Sequence, residues 1–153
     1  CLWPGAESVP FGTDFVVPFK GVNIGVEICE DVWTPAPPSC RLAAGGAEVI
    51  MNLSASDDLI GKYSYLLDLL RQQSARCICA YVYASAGYGE SSTDLAFDSK
   101  LVVTENGHLI DTNKRWTRGN QLLVADVDIE AIRRDRMHNS SFGAAASEVS
   151  VAR

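Results

Sequence analysis

The sequence predicts an α/β fold with a parallel core, and three observations carry that reading. Two nearly continuous apolar runs, at 49–53 and 78–83, have the length of strands buried in a covered sheet. Between them, the stretch 62–76 sets Leu66, Leu69, Leu70 and Gln73 at helical spacing. Ahead of them, an alternating stretch at 22–28 is followed by a short helical pattern at 39–44. The middle of the chain therefore reads βαβαβ, the order of a parallel sheet with helices packed outside it.

The elements follow in order. Prolines and glycines make 1–13 a loop, and 15–17 a short strand. Lys20-Gly21 turns that strand into 22–28, where Val22, Ile24, Val26 and Ile28 alternate as on a half-buried strand. Pro35, Pro37 and Pro38 admit the start of a helix but not its interior, and Gly45-Gly46 stops the helix at 39–44. Polar loops follow the two buried strands, Ser54-Ala55-Ser56-Asp57-Asp58 after the first and 85–92 after the second. Strands at 101–104 and 109–112 flank Glu105-Asn106-Gly107, a hairpin signal. The stretch 122–127 reads as a further strand and 129–137 as a short charged helix. One domain thus spans 1–137, and 138–153 reads as a polar tail or the start of a linker, unstructured from Ser140.

Composition bounds the function. Of the 153 residues 47% are hydrophobic, enough for a real core, and 21% are charged. A net charge of −6 argues against nucleic-acid binding, which needs a basic face. No apolar run approaches the ~18 residues of a membrane span, and the start has no signal-peptide pattern. Five cysteines without a regular framework suit a reducing, cytoplasmic setting. Cys77 and Cys79 are too close for a redox pair and have no histidine nearby, so no metal site is expected. The start at Cys1, without Met, suggests a processed chain or a fragment. Its thiol could act with its own amine, but Pro4-Gly5 reads as loop.

The candidate site centres on Gly25-Val26-Glu27-Ile28-Cys29-Glu30-Asp31-Val32-Trp33. Cys29 stands where the alternation stops, at the carboxyl end of a strand and ahead of a helix start. A nucleophile there can have the backbone N–H of Glu30 aimed at an oxyanion. The plainer alternative is a packed core thiol, the commonest fate of a free cysteine. Glu27 and Glu30 flank the thiol as part of its motif and neither is assigned as base; of the two, Glu27 shares the strand face of Cys29 by the two-residue period and is the better candidate to stand in for one. Ligands of open α/β sheets bind at the carboxyl ends of strands, where loops 54–58 and 85–92 also lie.

Several stretches together resemble a known family. These are Glu27-Ile28-Cys29-Glu30-Asp31-Val32-Trp33, Asn52-Leu53-Ser54-Ala55-Ser56, Gln73-Ser74-Ala75-Arg76-Cys77 and Ala80-Tyr81-Val82-Tyr83-Ala84-Ser85-Ala86-Gly87, with Gly89-Glu90-Ser91-Ser92. They are similar to the glutaminase domain of glutamine-dependent NAD+ synthetases, within the nitrilase or carbon–nitrogen hydrolase superfamily. The resemblance implies a nitrilase-like four-layer αββα sandwich, of which only the carboxyl-terminal part is present. It implies hydrolysis of L-glutamine, with ammonia passed to a synthetase domain that amidates deamido-NAD+ using ATP and magnesium. Cys29 takes the nucleophile's place, Ser56 matches a glutamine-contacting position, and Lys62 falls where relatives carry a cation near the glutamine. The family's glutamate base and lysine lie well upstream of the cysteine, and nothing in the 28 residues before Cys29 matches them. The fragment alone is therefore expected to be inactive and, with cut sheet edges, to self-associate as a homo-oligomer. Another nitrilase-type amidase, or a non-catalytic α/β assembly module, are the alternative readings.

Overall fold

The computed structural model describes residues 11–91 and 93–151, so the readings made of Cys1, Pro4-Gly5 and Ser92 lie outside the described residues. Six strands form one sheet in sequence order: β1 (Val16–Phe19), β2 (Val22–Ile28), β3 (Val49–Ser54), β4 (Ala80–Ser85), β5 (Leu101–Glu105) and β6 (His108–Thr112). The β2–β3 and β3–β4 pairs are parallel and the other three pairs antiparallel. Helix α1 (Pro38–Ala44) connects β2 to β3, and α2 (Lys62–Cys77) connects β3 to β4. This is the βαβαβ core that the sequence predicts.

Strand order explains where the helices lie. Parallel crossovers are right-handed, and β2, β3 and β4 advance without reversing, so both crossovers place their helices on the same face. That face carries Gly25, Glu27, Ile50, Asn52, Tyr81, Tyr83, Val102 and Thr104, all buried. Gly25 is required by the close approach of α1. A Cβ there would stand 3.0 Å from both Leu42 Cβ and Ile50 Cδ1. The opposite face carries Val26, Ile28, Met51 and Leu53, which remain 37 to 56% exposed. The alternation at 22–28 is real, but its apolar set points away from the helices. The chain supplies two layers, one sheet and one of helices, as part of a four-layer domain would.

Three boundaries or elements differ from expectation. Ile78 does not begin β4. It ends α2 in a left-handed conformation, φ +44°, with Cys79 N–H donating back to Ser74 O at 3.1 Å. Arg136 donates to the carbonyls of Ala47, Cys77 and Ile78, which accounts for the stability of that sharp exit. The stretch 122–127 is not a strand: it belongs to no helix or ladder among the described residues, and Leu122 and Val124 stay largely exposed. Helix α3 (Ile129–His138) is as predicted, but the tail is not unstructured. Asn139 caps a further helix, α4 (Ser140–Ser147), by accepting from Phe142 N at 2.8 Å. Helix α4 packs on α1, and Val151 reaches the core. In the β5–β6 hairpin Asn106 and Gly107 both take positive φ, as the Asn-Gly signal requires. No helix among the described residues is long and apolar enough to cross a membrane.

Candidate active site

Strand β2 ends at Ile28, and Cys29 opens a 3₁₀ turn, Cys29–Trp33, with φ +47°. A non-glycine residue in this region costs about 1–2 kcal/mol, so the surroundings must hold it there. Asp31 does so by accepting from Ile28 N at 2.8 Å. Asn52 Nδ2 donates to the Cys29 carbonyl at 3.4 Å. The turn swings the half-buried thiol over the end of β3. There Ser54 Oγ lies 3.5 Å from Sγ and Ala55 N lies 3.4 Å from it, and Tyr83 donates to Ser54 Oγ at 2.7 Å. Glu30, exposed, is the second residue of the turn, where the turn's own hydrogen bonds leave backbone N–H groups free.

The three loop segments expected at the strand ends do meet. Ala86 N donates to Ser54 O at 2.9 Å, and Ser85 Oγ to Ser56 O at 3.5 Å. Ser56 is buried, 7% exposed, one residue beyond the amide that touches the thiol. Lys62 pairs with Asp57 at 2.7 Å and stands 5.6 Å over the Trp33 ring, so it reaches the Cys29 turn by way of its tryptophan. The hydrogen bond from Lys62 holds the Asp57 carboxyl below its ordinary range. Lys62 is thus a committed cation rather than a free one.

Glu27 is not placed as a base. The period-two rule that put it beside Cys29 fails because the left-handed turn takes Cys29 off the strand. Glu27 points into the helical layer, 2% exposed, where it accepts from Ser39 N at 2.7 Å and from the Tyr81 hydroxyl. Burial, then the Glu27 charge, push the Tyr81 phenol well above its usual range, so it stays a donor.

Sequence reasoning missed a buried charge cluster behind the loop at 54–58. Lys100, fully buried, lies 2.7 Å from Asp98 and 3.5 Å from Asp58, and its Nζ donates to Ser56 O at 3.3 Å. Arg115 closes the group, 2.9 Å from Asp98 and 3.2 Å from Asp58, and stacks on Tyr63 at 3.8 Å. Two cations and two anions cancel, as buried charges require. The only sequence signal was Asp98-Ser99-Lys100 itself, charges beside a buried strand.

A model of the carbon-nitrogen hydrolase family matches residues 3–137. The chain belongs to the carbon-nitrogen hydrolase family. It is 45% identical over 141 residues to the glutamine-dependent NAD(+) synthetase of Mycobacterium tuberculosis, covering 90% of this chain and 21% of the relative. It is 31% identical over 145 residues to the human glutamine-dependent NAD(+) synthetase, covering 94% of this chain and 20% of that protein. The chain thus spans about a fifth of the curated relatives it matches, within their carbon-nitrogen hydrolase part. Among solved structures, a glutamine-dependent NAD(+) synthetase from Cytophaga hutchinsonii superposes with TM-score 0.59 at 32% identity, covering 68% of this chain and 16% of that one. Nit3 of Saccharomyces cerevisiae, a nitrilase-superfamily member, superposes with TM-score 0.67 over 85% of this chain and 46% of that one. Its 21% identity speaks for the fold alone. The carbon-nitrogen hydrolase fold of this chain is therefore partial.

Proposed function

We propose that this chain is the carboxyl-terminal portion of a glutaminase unit in a glutamine-dependent NAD+ synthetase, with Cys29 as the nucleophile. The observation that carries the reading is the left-handed turn at Cys29, which lifts a thiol off the end of a strand and against Ala55 N at 3.4 Å. Strained backbone of this kind concentrates at functional sites, and a core thiol needs none. In this reading Sγ attacks the side-chain amide carbon of glutamine. The Glu30 N–H supports the oxyanion, for which one good donor is worth roughly 3–4 kcal/mol. Ammonia leaves with a proton returned by the base, and water then hydrolyses the thioester to glutamate. Ser56 and Lys62 line the glutamine pocket.

The base and the oxyanion-binding lysine belong to a segment of the domain upstream of Cys29. The amidation of deamido-NAD+ with ATP and magnesium belongs to a separate synthetase domain. Among the described residues no group of three or more metal-ligating side chains converges. A cytoplasmic setting is supported by the four described cysteines, all free thiols.

The test is Cys29→Ser in the whole synthetase. Glutamine-dependent NAD+ formation should fall to background while ammonia-dependent formation is retained. The isolated chain should release no ammonia from glutamine. Equal loss of both synthetase activities would overturn the reading.

A further inference from the structure

We propose that Ser54 is a catalytic residue of this site: its hydroxyl, supported by Tyr83, donates to Cys29 Sγ and with Ala55 N–H stabilises the thiolate. The proposal rests on the reading of Cys29 as the nucleophile. Its geometry is a chain of donors with one direction. Tyr83, 1% exposed, has a single hydroxyl proton, and that proton lies toward Ser54 Oγ at 2.7 Å. A serine hydroxyl that accepts from Tyr83 still has its own proton to give, and Sγ stands 3.5 Å away. Ala55 N–H converges on the same sulfur at 3.4 Å. Donors in series polarise one another, so the last bond of the chain is stronger than an isolated serine–sulfur contact.

The supports of the relay are rigid. Ser54 is the last residue of β3, its carbonyl accepts from Ala86 N, and it pairs in register with Ser85 of β4. Tyr83 comes from β4, one step nearer the sheet centre across from Asn52. Burial raises the Tyr83 phenol above its ordinary range, so it remains a protonated donor through neutral pH. The same molecule contains its own contrast. Cys40 and Cys77 share the Gln73 amide, at 3.3 and 3.2 Å, on the helical side of the sheet. The hydrogen bond with Cys77, then burial, push the Cys40 thiol up, so it stays a thiol, and among the described residues no serine hydroxyl or backbone N–H converges on its sulfur as they do on Cys29. The relay removes no proton. It lowers the free energy of the anion left when the base takes one.

Alkylation by iodoacetamide reads this directly, because only the thiolate attacks, forming an S–C bond and expelling iodide. The whole protein that carries this chain is treated across a pH series, and the Cys29 peptide is followed by mass spectrometry. Ser54→Ala should raise the pH midpoint of Cys29 alkylation by about one pH unit, about tenfold less thiolate at neutral pH. Ser54→Thr, which keeps the hydroxyl, should restore the wild-type midpoint. Tyr83→Phe should move it the same way by about twofold to threefold in thiolate. A merely structural loosening of the loop would change the plateau rate and leave the midpoint where it was. An unmoved midpoint in Ser54→Ala overturns the proposal, and if that variant does not fold, an unmoved midpoint in Tyr83→Phe does so. If the midpoints move but Cys29→Ser keeps glutamine-dependent synthesis, the relay stands and the glutaminase reading alone falls.

Discussion

Glu27 shows what residue-level reasoning can and cannot see. A carboxylate two positions before a nucleophile on a strand should share its face, and nothing in the sequence marks Cys29 as leaving that strand. Backbone φ of +47° decides the matter, held by Asn52 and Asp31, neither of which was singled out for that work. Glu27 is a structural acceptor that ties the start of α1 to Tyr81 on β4. Its conversion to Gln leaves one oxygen where two served and places an amide N–H₂ against donors. Glu27→Gln should therefore destabilise the fold by about 1–3 kcal/mol in urea unfolding, with the Cys29 alkylation midpoint unchanged. A shifted midpoint at undiminished stability would return Glu27 to the role of base. The positions of Cys29 at the end of β2 and of Ser56 in the loop after β3, by contrast, were legible, because strand ends and loops do not depend on side-chain direction.

At the scale of elements, the loop after β3 is fixed from both sides. Lys62 holds Asp57 at the solvent side, while Lys100 holds Ser56 O and Asp58 from within. Most strands and helices were readable from periodicity, since each pattern is local, whereas the strand read at 122–127 is absent and α4 was not foreseen. The cluster behind the loop was not, because Asp58, Asp98, Lys100 and Arg115 come together only when β5 pairs with β4, across as many as 57 residues. Breaking a buried pair by removing one partner leaves an uncompensated charge, whereas an exposed pair contributes little. Lys100→Met should thus cost about 3–5 kcal/mol in unfolding free energy. Removal of the exposed Arg71–Asp68 pair, at 3.9 Å, should change it by less than about 0.5 kcal/mol. Urea denaturation of the two variants measures the difference. Equal small effects would mean that the loop is held by its backbone hydrogen bonds, Asp58 N to Ala96 O and Ala86 N to Ser54 O, without the buried cation.

For the whole molecule, handedness has the largest consequence. Two right-handed crossovers in an advancing strand order cover one face of the sheet and leave the other to Val26, Ile28, Met51 and Leu53. The alternation of 22–28 was legible as a strand. Which of its two faces met the helices was not, because glycine at 25 and a satisfied glutamate at 27 do not read as core. A contiguous apolar sheet face calls for a cover, and in the four-layer arrangement a second sheet supplies it. The 153-residue chain by itself should therefore self-associate and bind a hydrophobic dye such as ANS. Charges placed on the bare face, Met51→Lys with Leu53→Glu, should suppress both, since neither side chain contributes to the helix-facing core. In the whole protein the same pair should be destabilising, because there the charges would be buried without partners. Light scattering coupled to size exclusion decides the first half, and thermal unfolding of the whole protein the second. A monomeric, dye-silent wild-type chain would mean that the apolar face is closed from within this chain, with the exposed apolar stretch at 122–127 as the segment to delete next.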